Sequence, residues 1–191
     1  MLAALDQAAR VLARGGVVAY PTESCYGLGC DPRNHAALRR LLRLKRRSPA
    51  MGVIIIGAHI GQLVPYLDLS DPAVLAPALE TWPGPHTWLL PAKPGVSPWL
   101  RGAHPRIAVR ITAHRGAARL CKLFGGAIVS TSANRHGRSP ATRAREVQRM
   151  FGSSIDYIVR GRVGGLAPTE IRDGVTGAVV RATASPREAA D

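Results

Sequence analysis

Val53-Ile-Ile-Ile56 is the stretch that most narrows the folds open to this chain. Four consecutive β-branched residues suit a strand better than a helix, and a run with no polar position belongs in a strand covered on both faces. Further short apolar runs at 17–20, 87–90, 106–111, 127–130 and 155–159 alternate with helical patterns at 1–14, 34–43, 60–67, 71–80, 117–124 and 142–151. Gly15-Gly16 and Gly125-Gly126 supply helix stops, and Asp71-Pro72 supplies a cap with proline at the first helical position. Residues 93–105 read as irregular, and 171–181 as a hairpin turning at 173–177. Strand–helix alternation with short spacings and a terminal hairpin predicts a single α/β domain with a mixed sheet. That domain is expected over residues 1–182. Residues 183–191 have no apolar pattern and read as a disordered tail.

The 191 residues are enough for one large core, and hydrophobic residues make up 46% against 5% aromatic, so aliphatic packing must build it. No apolar run approaches the roughly 18 residues of a membrane span. The first residues carry Asp6 and late arginines, unlike a secretory leader. Three cysteines, an odd number, argue against a disulfide framework and for a reducing cytoplasm. Cys25, Cys30 and His35 fit no closed four-ligand zinc pattern. The formal charge of +14, carried mostly by arginine, favours phosphate-bearing partners, although a solvated basic surface would look the same.

Three polar stretches leave this apolar framework. Tyr20-Pro-Thr-Glu-Ser-Cys-Tyr-Gly-Leu-Gly-Cys-Asp31 offers hydroxyls, one carboxylate and two glycines that let backbone approach a ligand, or else forms an ordinary turn. Lys45-x-Arg47 closes a basic helix, where the helix dipole favours cations whatever they do. Ser130-Thr-Ser-Ala-Asn134 follows a buried strand, where its hydroxyls bind a ligand or merely end the strand. Neither a dinucleotide-binding glycine fingerprint nor a P-loop is present.

Taken with Trp82-Pro-Gly-Pro85, Val109-Arg110 and Pro168-Thr-Glu-Ile-Arg-Asp173, these stretches resemble the YrdC/TsaC family, the L-threonylcarbamoyladenylate synthases, in order and spacing over nearly the whole chain. The resemblance implies an open, twisted sheet flanked by helices around a large, basic, concave cavity. It also implies a nucleotidyltransferase making threonylcarbamoyl-AMP from L-threonine, bicarbonate or CO₂, and ATP with Mg²⁺. A downstream transferase would then modify the adenosine beside the anticodon of ANN-decoding tRNAs. By the same resemblance Lys45, Arg47, Ser132 and Asn134 form the catalytic tetrad, and with Arg110 and Arg181 they hold ATP. Thr22, Tyr26, Ser130 and Thr169 hold threonine, and Glu23 is a candidate Mg²⁺ contact. Ser48 stands where the family usually has proline, Met51 where it is polar, Arg135-His136 where it has serine, and Thr169 where serine is frequent. Lys45→Ala and Arg47→Ala are both expected to fold and to make little adenylate. The competing readings are a non-catalytic basic module gripping tRNA or structured RNA, and a carbamoyltransferase module of the hydrogenase-maturation type.

Overall fold

The first helix forms as its pattern requires: α1 spans Leu2–Ala13 and buries Leu5, Ala8, Ala9 and Leu12. The fold is seen in a computed structural model that describes residues 2–135, 137–167 and 169–182. The expected tail at 183–191 therefore lies outside the described residues, as do Met1, His136 and Pro168. In chain order follow β1 (Val18–Pro21), β2 (Tyr26–Gly29), α2 (His35–Lys45), β3 (Ile54–Gly57), α3 (Ala76–Thr81), β4 (Thr87–Pro91) and α4 (Pro98–Arg101). After these come β5 (Arg106–Ile111), α5 (Arg115–Phe124), β6 (Ile128–Ser132), α6 (Ala144–Phe151), β7 (Tyr157–Ile158), β8 (Ile171–Asp173) and β9 (Val179–Arg181).

The strands make one nine-stranded mixed sheet in the order β7-β1-β2-β6-β3-β5-β4-β8-β9. β3 lies at its centre, parallel to β5 and antiparallel to β6, where an all-β-branched strand is expected. β8 and β9 form the anticipated antiparallel hairpin. Helices cover both faces. Ala19, Leu28, Ile55, Val109 and Val129 share one core with Leu38, Leu41 and Leu42 of α2 and with Val147 and Phe151 of α6. Val18, Tyr20, Ile56 and Ile128 share the other with α1 and with Ala117, Leu120 and Cys121 of α5.

Three local readings change. The glycine stretch expected as a ligand loop or an ordinary turn is instead β2, whose four residues are all buried and which pairs with both β1 and β6. A side chain at Gly29 would place Cβ 2.6 Å from the Val129 carbonyl and 2.8 Å from the Tyr20 ring, so glycine there serves close strand packing. The expected helix at 60–67 is two 3-10 turns, Ile60–Gln62 and Val64–Tyr66, because Pro65 removes an amide from its middle. The stretch read as irregular holds the short α4.

Candidate functional site

Strand periodicity locates the site. Ile128, Ser130 and Ser132 alternate onto the same face of β6, and Ile56 and Ile54 onto the same face of β3, with Ile128 opposite Ile56 and Ser130 opposite Ile54. Ile128 and Ile56 lie beneath α1 and α5. One step along each strand the helical cover ends, and Ser130, Ser132 and Ile54 line an open cavity of about 570 Å³. The change from isoleucine to serine at equivalent positions marks that edge. Ala108 and Arg110 of β5, Ile171 of β8, and Val180 and Arg181 of β9 extend the floor and wall.

The end of α2 delivers the cations. Arg46 takes a left-handed conformation (φ 52°), and the Arg47 amide returns to the Leu42 carbonyl at 3.0 Å. That tight stop leaves Lys45 buried and swings Arg47 to the cavity wall. Arg47 is pinned to the following turn, its Nε donating to the Gly52 carbonyl at 3.1 Å. Ser48 caps that turn by accepting from the Ala50 amide at 3.3 Å, a use proline could not supply. Lys45 Nζ donates to the Ser132 carbonyl, to the Asn134 carbonyl at 2.9 Å and to Asn134 Oδ1 at 3.0 Å. The Ser132 hydroxyl donates to the same Oδ1 at 2.7 Å, and Asn134 Nδ2 donates to the Arg138 carbonyl at 2.6 Å. Burial and the neighbouring Arg47 charge push the Lys45 ammonium down to about 8. Of the four tetrad residues, Arg47 and Ser132 face the cavity, while Lys45 and Asn134 brace the wall behind them.

Arg110 and Arg181 join Arg47 around the cavity. Burial, together with the charges of Arg47 and Arg110, lowers the Arg181 pKa. Arg181 Nη2 donates to the Thr169 carbonyl at 2.8 Å. Glu23, the candidate Mg²⁺ contact, does not itself line the cavity. Its Oε1 accepts from the Thr112 hydroxyl at 2.6 Å and the Ala113 amide at 3.1 Å, and its Oε2 accepts from Arg110 Nη2 at 3.3 Å. Burial alone would raise this carboxyl, but Arg110 and Thr112 outweigh it and hold it below its ordinary value. No carboxylate lines the cavity among the described residues, nor do any form a cluster fit for a metal ion. The described lining therefore offers a metal ion no carboxylate ligand.

Of the residues expected to hold an amino acid, Thr22, Ser130 and Thr169 line the cavity. The Thr22 hydroxyl donates to the Cys25 carbonyl at 2.8 Å, so toward a ligand it can act only as an acceptor. Tyr26 does not join them. Its ring is wholly buried in the core, and its hydroxyl donates to the Gly161 carbonyl at 3.0 Å while accepting the Gly161 amide at 3.1 Å. Met51, noted in the sequence only as a departure from the family, lines the cavity, and so do Arg101 and His104, which sequence reasoning missed. The last two come from the stretch read as irregular, and only their basic character could have drawn notice. On its outer side α2 borders a second groove of about 610 Å³, lined by Arg39, Arg43, Arg46, Arg47 and Trp99.

The model of the Sua5/YciO/YrdC family, described as "Telomere recombination", matches residues 10–183. The threonylcarbamoyl-AMP synthase of Nitrosococcus oceani is 56% identical over 176 residues, covering 91% of this chain and 95% of that protein. That of Alkalilimnicola ehrlichii is 51% identical over 182 residues, covering 93% and 95%. Among solved structures, P. abyssi Sua5 complexed with L-threonine superimposes with a TM-score of 0.87 at 29% identity. It is matched over 96% of this chain, which spans only 55% of that longer one. E. coli YciO shares the fold, with a TM-score of 0.85 at 24% identity over 99% of this chain and 93% of its own.

Proposed function

The chain belongs to the Sua5/YciO/YrdC family, and on that premise we propose that it is a nucleotidyltransferase making L-threonylcarbamoyladenylate from L-threonine, bicarbonate or CO₂, and ATP. The product would feed threonylcarbamoyl transfer onto ANN-decoding tRNAs by a downstream transferase. The observation that carries this reading is one cavity whose lining brings Arg47, Arg110 and Arg181 together with the hydroxyl residues Thr22, Ser130, Ser132 and Thr169. A triphosphate needs the first set and a small hydroxy-amino acid the second.

The threonine amine would add to CO₂, losing a proton, to give a carbamate. A carbamate oxygen would then attack the α-phosphorus as the bond to the β-phosphate oxygen breaks and pyrophosphate leaves. The carbamate brings its own nucleophile, so the protein's work is positioning and charge stabilisation. Arg47, Arg110 and Arg181 would hold the phosphates, with Mg²⁺ arriving as part of the nucleotide substrate. Ser132 would meet the nucleotide directly, and Lys45 and Asn134 would hold Ser132 in place. Thr22, Ser130 and Thr169 would orient threonine.

A cytoplasmic setting suits these substrates, and no helix among the described residues is long and apolar enough to cross a membrane. The arginine-rimmed groove beside Trp99 favours an added contact with tRNA or structured RNA, since a phosphodiester backbone matches its charge and an exposed base could stack there. Incubating the protein with ATP, Mg²⁺, bicarbonate and single amino acids should give threonine-dependent pyrophosphate and threonylcarbamoyl-AMP by mass spectrometry. RNA retention without any adenylate would instead establish the non-catalytic module.

A further inference from the structure

A carboxylate beside an anion-binding arginine needs a reason, because it repels the ligand the arginine attracts. Glu23 and Arg110 are each 4% exposed, one in the turn between β1 and β2 and the other on β5. Their side chains meet through a single hydrogen bond, Arg110 Nη2 to Glu23 Oε2 at 3.3 Å. The other carboxylate oxygen is fixed by the Thr112 hydroxyl and the Ala113 and His114 amides, at 2.6, 3.1 and 3.4 Å, so Glu23 cannot swing away. Arg110 Nε is buried without a hydrogen-bond partner among the described residues, while Arg110 itself lines the cavity. A buried donor is seldom left without an acceptor, so this one marks where a ligand oxygen belongs.

We propose that Glu23 is a positioning residue that anchors one corner of the Arg110 guanidinium, so that Nε meets an oxyanion of the bound substrate. This rests on the adenylate-forming reading above. The oxyanion is a phosphate of ATP or the carboxylate of threonine; both present the same acceptor oxygen to Nε, and separate titrations distinguish them. Through the fixed Thr112–Ala113–His114 turn, Glu23 also ties the anion site to the start of α5.

The test is Glu23→Gln, assayed by threonine-dependent pyrophosphate release with ATP and threonine varied separately and with Tm recorded. The amide keeps an oxygen for Thr112 and the backbone but loses the charge that holds Arg110. The expected result is a rise of about tenfold or more in KM for one substrate only, the size of one charge-assisted hydrogen bond. The other KM stays within about twofold. Arg110→Lys, which keeps a cation beside Glu23 but lacks Nε, should raise KM for the same substrate. In that background Glu23→Gln should add nothing further.

The proposal is overturned if Glu23→Gln leaves both KM values unchanged while Arg110→Lys does not. It is equally overturned if both KM values drift together as Tm falls, which is the mark of a merely structural pair. Should Glu23→Gln fail to fold, Arg110→Lys with both KM values unchanged overturns it alone. Wild-type protein without threonine-dependent pyrophosphate release would instead remove the functional reading and not this one, which equilibrium titration of each variant with ATP and with L-threonine would still decide.

Discussion

Lys45 and Arg110 are equally buried, at 4% exposure each, one behind the cavity wall and one lining it, and their hydrogen bonding is opposite. Lys45 is a compact ammonium with three donors, and the Ser132–Asn134 segment takes all three. Arg110 has five donors in a rigid plane, gives one to Glu23, and keeps a buried Nε without a partner. Positive charge and burial therefore do not by themselves identify a ligand-binding residue. What distinguishes the two is whether the protein has already satisfied the donors. On that ground Lys45 builds the wall and Arg110 works at its surface.

The largest effect should fall on the unsatisfied cation. Arg110→Ala removes a charge aimed at the substrate, and pyrophosphate release should drop by about 10²–10³-fold, the usual cost of one stabilising donor. It also strands the buried Glu23 carboxylate, so Tm should fall as well. Full activity in this variant would erase the distinction.

Lys45→Met comes next and should act first on stability. Losing the ammonium leaves the Asn134 carbonyl without its lysine donor and the Ser132 carbonyl with the Asn134 amide alone, a loss of about 1–3 kcal/mol. Activity should decline with it, because Ser132 loses its support. Arg47→Ala should lower turnover with Tm nearly unchanged, since Arg47 is only half-buried and hydrogen-bonds to its own turn. The sequence expectation that Lys45→Ala and Arg47→Ala both fold thus divides between the two positions, and thermal melts of variants at each decide it. Equal melting temperatures would restore it.

Titration sharpens the same contrast. In the unfolded chain a lysine keeps its proton to about pH 10.4, whereas burial and the Arg47 charge bring folded Lys45 down to about 8. Between those values the unfolded state binds more protons, so this group makes stability rise with pH there, by at most about 1.4 kcal/mol per unit. Below pH 8 both states are protonated and the slope vanishes. Denaturant melts at pH 7, 8, 9 and 10 should show wild type gaining on Lys45→Met only above pH 8. A gap that stays constant would mean that the ammonium's three hydrogen bonds hold its proton against burial.

Much of the frame was legible because its signals are local. The β-branched run at 53–56 and the hairpin at 171–181 announce themselves by residue type and period. β2 did not, because glycine reads as loop unless one knows that the Tyr20 ring and the Val129 carbonyl press against it. At the site, the family resemblance implied a hollow of cations and hydroxyls, and Arg47, Arg110, Ser132 and Arg181 all line one cavity. What spacing could not supply is which donors are already taken. Glu23 meets Thr112 across 89 positions and Lys45 meets Asn134 across the same distance, and those pairings exist only once the sheet has formed.

Tyr26 carries the smallest prediction and the cleanest. It stands in the same motif as Thr22, four residues on, and the family resemblance implied a place for it beside threonine. On β2 its side chain packs into the core shared with α2 and α6, where its hydroxyl closes a two-way hydrogen bond with Gly161. Tyr26→Phe removes that pair and nothing else of size, so stability should fall by about 0.5–1.5 kcal/mol. KM for threonine should not move, because the loss lies within the core and leaves the Thr22, Ser130 and Thr169 hydroxyls untouched. Denaturant melts and a threonine titration on the same preparation check both halves. A raised threonine KM at unchanged stability would return Tyr26 to the cavity and show that β2 shifts when substrate binds.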